Sequence, residues 1–199
     1  MKPFVLLGVL AMASFSAQAA DGLQPRVGAA AAFGSFSGDN SPAGVMSGHV
    51  DDDAVGFKVY GQYPLNDWFA VEGAYYDSSK FKTRVKEKIT DPPGLTYGQY
   101  ELSFDGWSAL GVVYIPEPVE GFQVYVKGGY YNFDDDLAVD GVNFGSSSER
   151  GLVLGGGMLL QMSDNLAVRA DVDWFDADVG DLTTVNFGLE YSFGGTSGK

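Results

Sequence analysis

Residues 185–193 read "VNFGLEYSF". Every second residue is large and apolar: Val185, Phe187, Leu189, Tyr191 and Phe193. Between them stand Asn186, Gly188, Glu190 and Ser192. A period of two is that of a β-strand, whose successive side chains point to opposite faces. One face here is greasy and rich in rings, and the other carries a glutamate. Whether the greasy face meets a protein core or lipid decides the fold.

The same alternation recurs upstream. It marks eight candidate strands at about 25–36, 54–64, 68–90, 95–115, 122–133, 151–162, 166–176 and 183–193. The connections alternate in length. "PLND" (64–67), "PEPVEG" (116–121) and "SDN" (163–165) are short and hold residues that set turn geometry. "SGDNSPAGVMSGHVDDD" (37–53), "DDDLAVDGVNFGSSSER" (134–150) and "DADVGDL" (176–182) are longer, polar and acidic, and read as loops. The third and fourth strands meet in a long hairpin. "DPPGL" lies at its tip, with Pro then Gly suited to a type II turn.

Composition supports this reading. The chain has 199 residues, 28 glycines, 14% aromatic residues and no cysteine, so stability must come from packing or from a bilayer. A net charge of -14 argues against nucleic acid as a partner. The opening "MKPFVLLGVLAMASFSAQAA" has one cation, a short apolar run and then small residues. It reads as a secretory signal over 1–19, too short to span a bilayer as a helix. The remaining residues, 20–199, read as one domain.

The two faces separate a soluble barrel from a membrane barrel. Apolar rows run through Val55, Phe57, Val59, Gly61 and Tyr63; Phe122, Val124, Val126, Gly128 and Tyr130; Leu152, Leu154, Gly156, Met158 and Leu160; and Leu166, Val168, Ala170, Val172 and Trp174. The opposite rows hold Lys58, Tyr60 and Gln62; Glu72 and Tyr76; Glu101, Ser103 and Asp105; Gln123, Tyr125, Lys127 and Tyr131; Arg169, Asp171 and Asp173; and Asn186 and Glu190. Aromatics gather near strand ends at Tyr63, Phe69, Tyr75, Tyr114, Phe122, Tyr130, Trp174, Tyr191 and Phe193, as rings do at a membrane interface. Short turns on one side and long connections on the other complete the pattern. The fold class is all-β: an eight-stranded antiparallel up-and-down transmembrane β-barrel.

At the level of motifs, "GLVLGGGMLLQMSDNLAVRADVDWFDADVGDLTTVNFGLEYSF" (151–193) resembles the end of the OmpA-like outer-membrane barrels. The shared features are a Gly-rich strand, a short turn with Asn-Leu, an Arg-acid strand and a Gly-Leu-x-Tyr-x-Phe ending. The resemblance implies the outer membrane of a Gram-negative bacterium and the transmembrane-domain type, without the peptidoglycan-binding domain. It implies outer-membrane lipid and lipopolysaccharide as surroundings, with the barrel assembly machinery as a partner during biogenesis. Asn186, Gly188, Tyr191 and Phe193 then form the assembly signal. It also implies lumen ion pairs whose partner exchange admits ions, with Lys127, Arg169, Glu72 and Glu190 as participants. A monomer is expected.

Two groups of charges carry the candidate chemistry. The first is a lumen network of Lys58, Glu72, Glu101, Asp105, Lys127, Arg169, Asp171, Asp173 and Glu190, because shut-in charges must be paired. It serves either as a structural filling or as a gate on a narrow ion path. The second is "SSKFKTRVKEKIT" (78–90), with Lys80, Lys82, Arg84, Lys86 and Lys88 on one face. Parity along the third strand puts these cations on the lumen side, with Lys86 opposite Glu101 and Lys82 opposite Asp105. A foil for acidic loops, a lipopolysaccharide contact and an adhesive surface compete for this hairpin.

Catalysis would need a His beside a Ser and an acid, as in a lipid A-modifying enzyme. His49 is the single histidine, near Ser47 and Asp51 in the first long connection, and reads as a solvated loop residue. No cofactor is expected: "LGGGMLL" (154–160) has no helix after it, and its glycines read as places for close approach. The acidic runs lack EF-hand spacing, so no metal site is assigned.

Overall fold

The computed structural model describes residues 24–37, 52–78, 81–84, 99–139, 142–177 and 180–193. Nine strands follow in order: β1 (Arg26–Ser37), β2 (Asp52–Pro64), β3 (Phe69–Ser78), β4 (Phe81–Arg84), β5 (Gln99–Val119), β6 (Phe122–Val139), β7 (Val142–Gln161), β8 (Leu166–Ala177) and β9 (Gly180–Ser192). Each is antiparallel to its neighbours, and β3 and β4 both pair with β5 as two parts of one stave. β1 pairs with both β2 and β9, from Arg26↔Ser192 to Ser37↔Asp181, so the sheet closes on itself. The result is a closed barrel of eight staves. Closure removes the free edges that an open sheet would expose.

Burial alternates along the staves in the sense opposite to a soluble barrel. Val55, Phe57, Leu152, Leu154, Phe187 and Leu189 are exposed on the outer wall. Lys58, Glu72, Lys127, Arg169, Asp171, Asp173 and Glu190 are each no more than 4% exposed, inside. A greasy wall around an ionic lumen suits lipid as the outer solvent.

The short turns gather at one end. In the first, the Asn66 carboxamide oxygen accepts from the backbone N–H groups of Trp68 (2.8 Å) and Phe69 (2.9 Å). In the third, Met162 N–H donates to the Leu166 carbonyl at 2.8 Å. Between them, β5 continues to Val119, past the expected end at 115, and turns through Gly121 at a φ of 77°. Pro116 and Pro118 cannot donate to the ladder, and the register breaks between Ile115 and Val119.

Two expected loops contain sheet. β6 and β7 extend past the acidic run to pair Val139 with Val142, so Asp134–Asp136 are strand residues. The Asp140-Gly141 dipeptide between them is a strong hairpin signal that the charge run had hidden. β8 and β9 likewise pair out to Ala177 and Gly180.

The largest correction concerns β5. Its inward row is Phe104, Gly106, Ser108, Leu110, Val112 and Tyr114, all buried. Asp105 lies in the outward row, half-buried, where it accepts from the Tyr75 hydroxyl at 3.0 Å. Glu101 occupies a position of that same outward row. Asp105 is therefore no part of the lumen network, and Tyr114 is a lumen residue and no part of the outer aromatic girdle. The parity was misread because "ALGVVYI" (109–115) is apolar on both faces, while the strand's acids lie beyond the membrane-facing part.

The basic hairpin is also shifted. Asp77 pairs with Asp105 in β3, and the Ser78 hydroxyl bonds the backbone of Phe104. In β4, Phe81 pairs with Leu102, Lys82 with Glu101 and Arg84 with Gln99. From Asp77↔Asp105 to Phe81↔Leu102, four steps along one strand answer three along the other, which is a bulge. A one-residue slip exchanges the two faces. Lys82 and Arg84 therefore take positions in the outward row, and Lys82 stands opposite Glu101 where Asp105 was expected. Lys80, Lys86, Lys88 and His49 lie outside the described residues.

Candidate functional site

Five large lumen side chains lie directly across from glycines on the next strand: Tyr60 from Gly28, Tyr125 from Gly157, Lys127 from Gly155, Tyr131 from Gly151 and Phe133 from Gly106. A Cβ at Gly28 would overlap the Tyr60 ring, and one at Gly155 would lie 2.9 Å from the Lys127 side chain. The seats explain "GGG" at 155–157, where Gly155 and Gly157 face inward. They let a narrow barrel hold long side chains across its axis.

The middle of the lumen is ionic. Lys127 Nζ sits 2.6 Å from Asp173 and 2.9 Å from Asp171. Lys58 Nζ lies 3.0 Å from Asp173, 3.3 Å from Asp171 and 3.4 Å from Glu72. The Arg169 guanidinium reaches three carboxylates: Glu72 at 2.7 Å, Asp171 at 2.8 Å and Glu190 at 3.2 Å. It lies between two rings, 4.2 Å from the Tyr60 centroid and 4.7 Å from that of Tyr125. Tyr125 and Tyr76 hydroxyls donate to Asp171 (3.0 Å) and Asp173 (2.9 Å). The Asn186 amide donates to the same two aspartates at 2.8 and 3.0 Å.

Glu190 has a second partner that the sequence reading missed. Arg26 Nη1 lies 3.3 Å from it and 3.3 Å from the Tyr114 hydroxyl. The signal was present: Arg26 is the lone charge on the inward row of "RVGAAAAF". With Arg26 counted, Lys58, Lys127, Arg169 and Arg26 match Glu72, Asp171, Asp173 and Glu190 charge for charge. Such a layer holds together only as a whole, because removing one member strands its partners at a cost of about 3–5 kcal/mol.

Above the ions, toward the long-connection end, the lumen turns aromatic. Phe175 is fully buried, with ring centroids of Phe133, Tyr131 and Tyr76 at 5.0, 5.3 and 5.4 Å. Below the ions, Ala70, Val112, Tyr114 and Tyr125 form a smaller cluster. Here polar contacts continue: Gln62 donates to Glu72 at 3.4 Å, and Tyr114 donates to Gln62.

Of the proposed assembly residues, Asn186 and Gly188 face the lumen. A Cβ at Gly188 would run into the Ala29 carbonyl oxygen and Ala30. Tyr191 and Phe193 face outward as an edge-to-face pair, with centroids 5.4 Å apart.

Comparison with solved structures places the fold among bacterial outer-membrane barrels. Ail, the attachment invasion locus protein of Yersinia pestis, aligns at a TM-score of 0.56 and 16% identity, over 86% of this chain and 99% of that one. Neisserial surface protein A aligns at 0.60 and 14%, over 85% and 97%. The N-terminal barrel domain of Pseudomonas aeruginosa OprF aligns at 0.52 and 15%, over 86% and 99%. Identities this low show the fold alone. Comparison with curated protein sequences returned no match. A family model described as the outer membrane protein beta-barrel domain matches residues 6–193. The chain belongs to that outer-membrane β-barrel family.

Proposed function

We propose that this barrel is a non-enzymatic, monomeric component of the Gram-negative outer membrane that supports envelope integrity and carries a narrow ion path through its charged lumen. Residues 1–19 act as a cleaved secretory signal. Residues 186–193 are read by the barrel assembly machinery, and lipopolysaccharide surrounds the finished wall.

The observation that carries the ion path is Arg169 with three carboxylates in reach. One guanidinium holds Glu72, Asp171 and Glu190 together through its three nitrogens, and Lys58 also reaches Glu72 and Asp171, so Arg169 can shift among them without leaving either unpaired. Arg26 holds Glu190 from the other side and covers it when Arg169 moves away.

The test is conductance of the folded protein in planar bilayers. The wild-type barrel should show small, infrequent openings, and Arg169→Ala and Glu190→Ala should each change their size or frequency. If both variants match the wild type, the lumen charges are structural only.

A further inference from the structure

Two layers stand in series in the lumen, and only one of them is ionic. An ion that passes Asp173 toward the long-connection end reaches Phe175, Phe133, Phe104, Leu182 and Val153, all buried and apolar, while the tyrosines of the same cluster, Tyr76 and Tyr131, already donate their hydroxyls to Asp173 and the Asp176 carbonyl. These side chains offer no group to replace hydrating water, so the layer resists wetting.

The layer has a thin side. On β1 the inward row carries only Ala32 and Gly34 at this height, and on β9 it carries Thr184 between Asn186 and Leu182. A cavity of about 30 Å³ is lined there by Ala32, Gly34, Thr184 and Leu182 on one side and by Tyr76, Phe104, Phe133 and Phe175 on the other. That is room for about one water molecule. Just below it, Asn186 is fully buried and its Oδ1 has no hydrogen-bond partner among the described residues, while its amide donates to Thr184 Oγ1 at 3.3 Å. Asn186 and Thr184 thus form a polar step from the ion pairs to the cavity.

We propose that Phe175 is the conductance-determining residue of this barrel. The route past the aromatic layer runs along the β1–β9 seam, from Asn186 past Thr184, and its narrowest point lies between the Phe175 ring and Ala32. Water and single small ions stripped of most of their hydration are what such a gap admits. This rests on the reading that the lumen conducts, and it moves the barrier from the ion pairs to the rings above them.

The experiment compares folded full-length variants in planar bilayers. Phe175→Ala should raise conductance several-fold, and Ala32→Leu should bring it below detection. Arg169→Ala alone should alter how often the path opens and leave the size of each opening unchanged. Heat-modifiable migration on gels checks folding, and Phe175→Leu replaces the alanine variant should that one fail to fold. If Phe175 variants conduct like the wild type while Arg169→Ala enlarges the openings, the ion pairs are the barrier and this inference is overturned, with the ion path intact. If the wild type, every single variant and the Arg169→Ala/Phe175→Ala double variant are all silent, the ion path itself falls.

Discussion

Gly28 and Tyr60 face each other across β1 and β2, and the three atoms nearest a Cβ at Gly28 all belong to the tip of the Tyr60 side chain. Gly28→Ala should therefore destabilise the barrel by about 1–3 kcal/mol, as over-packing does. In a Tyr60→Leu background the same change should cost much less, because the obstructing ring tip is gone. Urea unfolding in lipid vesicles gives all four corners of that cycle. Equal costs in both backgrounds would mean that the glycine is kept for some reason other than space. Most of the lumen was legible one residue at a time, since a charge opposite a greasy row in a strand has one place to go. Arg26 escaped notice because a single charge at the mouth of an alanine-rich strand looks like a terminus and not like a member of a set.

Strands were harder to read where both faces are apolar. β5 loses its parity over "ALGVVYI", and with it Asp105 and Tyr114 are assigned to the wrong side. β3 and β4 were read as one uninterrupted arm, although one extra residue lies between them. Nothing in "SSKF" announces a bulge, because small polar residues fit one and equally fit a regular strand. Register, in contrast, is open to direct measurement. The chain has no cysteine, so introduced pairs are clean. Lys82→Cys with Glu101→Cys should form a disulfide in the folded barrel, since directly opposed positions bring Cα atoms within bridging distance. Lys82→Cys with Asp105→Cys should not. Mobility of the oxidised and reduced proteins on gels distinguishes the two. The reverse result would restore the unbulged hairpin and return the cations to the lumen side.

At the scale of the whole molecule, the barrel is turned inside out relative to a soluble one, and lipid completes its packing. Leu154 is 57% exposed on the outer wall, beside Gly128 of β6 and Trp174 of β8. Leu154→Arg should cost roughly 2–4 kcal/mol in vesicles, the price of a cation near the bilayer centre, and Leu154→Ala far less. A soluble barrel would accept arginine at that surface with little change. Urea unfolding from vesicles reads both variants. Strand count, closure and the in-out sense all followed from alternation and connection lengths. How far each stave rises past the membrane did not, because acidic residues in solvent-exposed sheet look like those of a loop.

The glycine seats constrain how such a chain can change over time. Each seat and its occupant form a pair in which either partner, altered alone, meets steric overlap or leaves a void. A substitution at Gly28 is then epistatic with one at Tyr60, whereas Gly151 and Gly157 are hemmed in by the Asp176 and Ala170 carbonyls as well as by Tyr131 and Tyr125. Descendants should exchange Gly28 and Tyr60 together and keep Gly151 and Gly157 as glycine, while the greasy wall drifts freely because lipid accepts any apolar side chain.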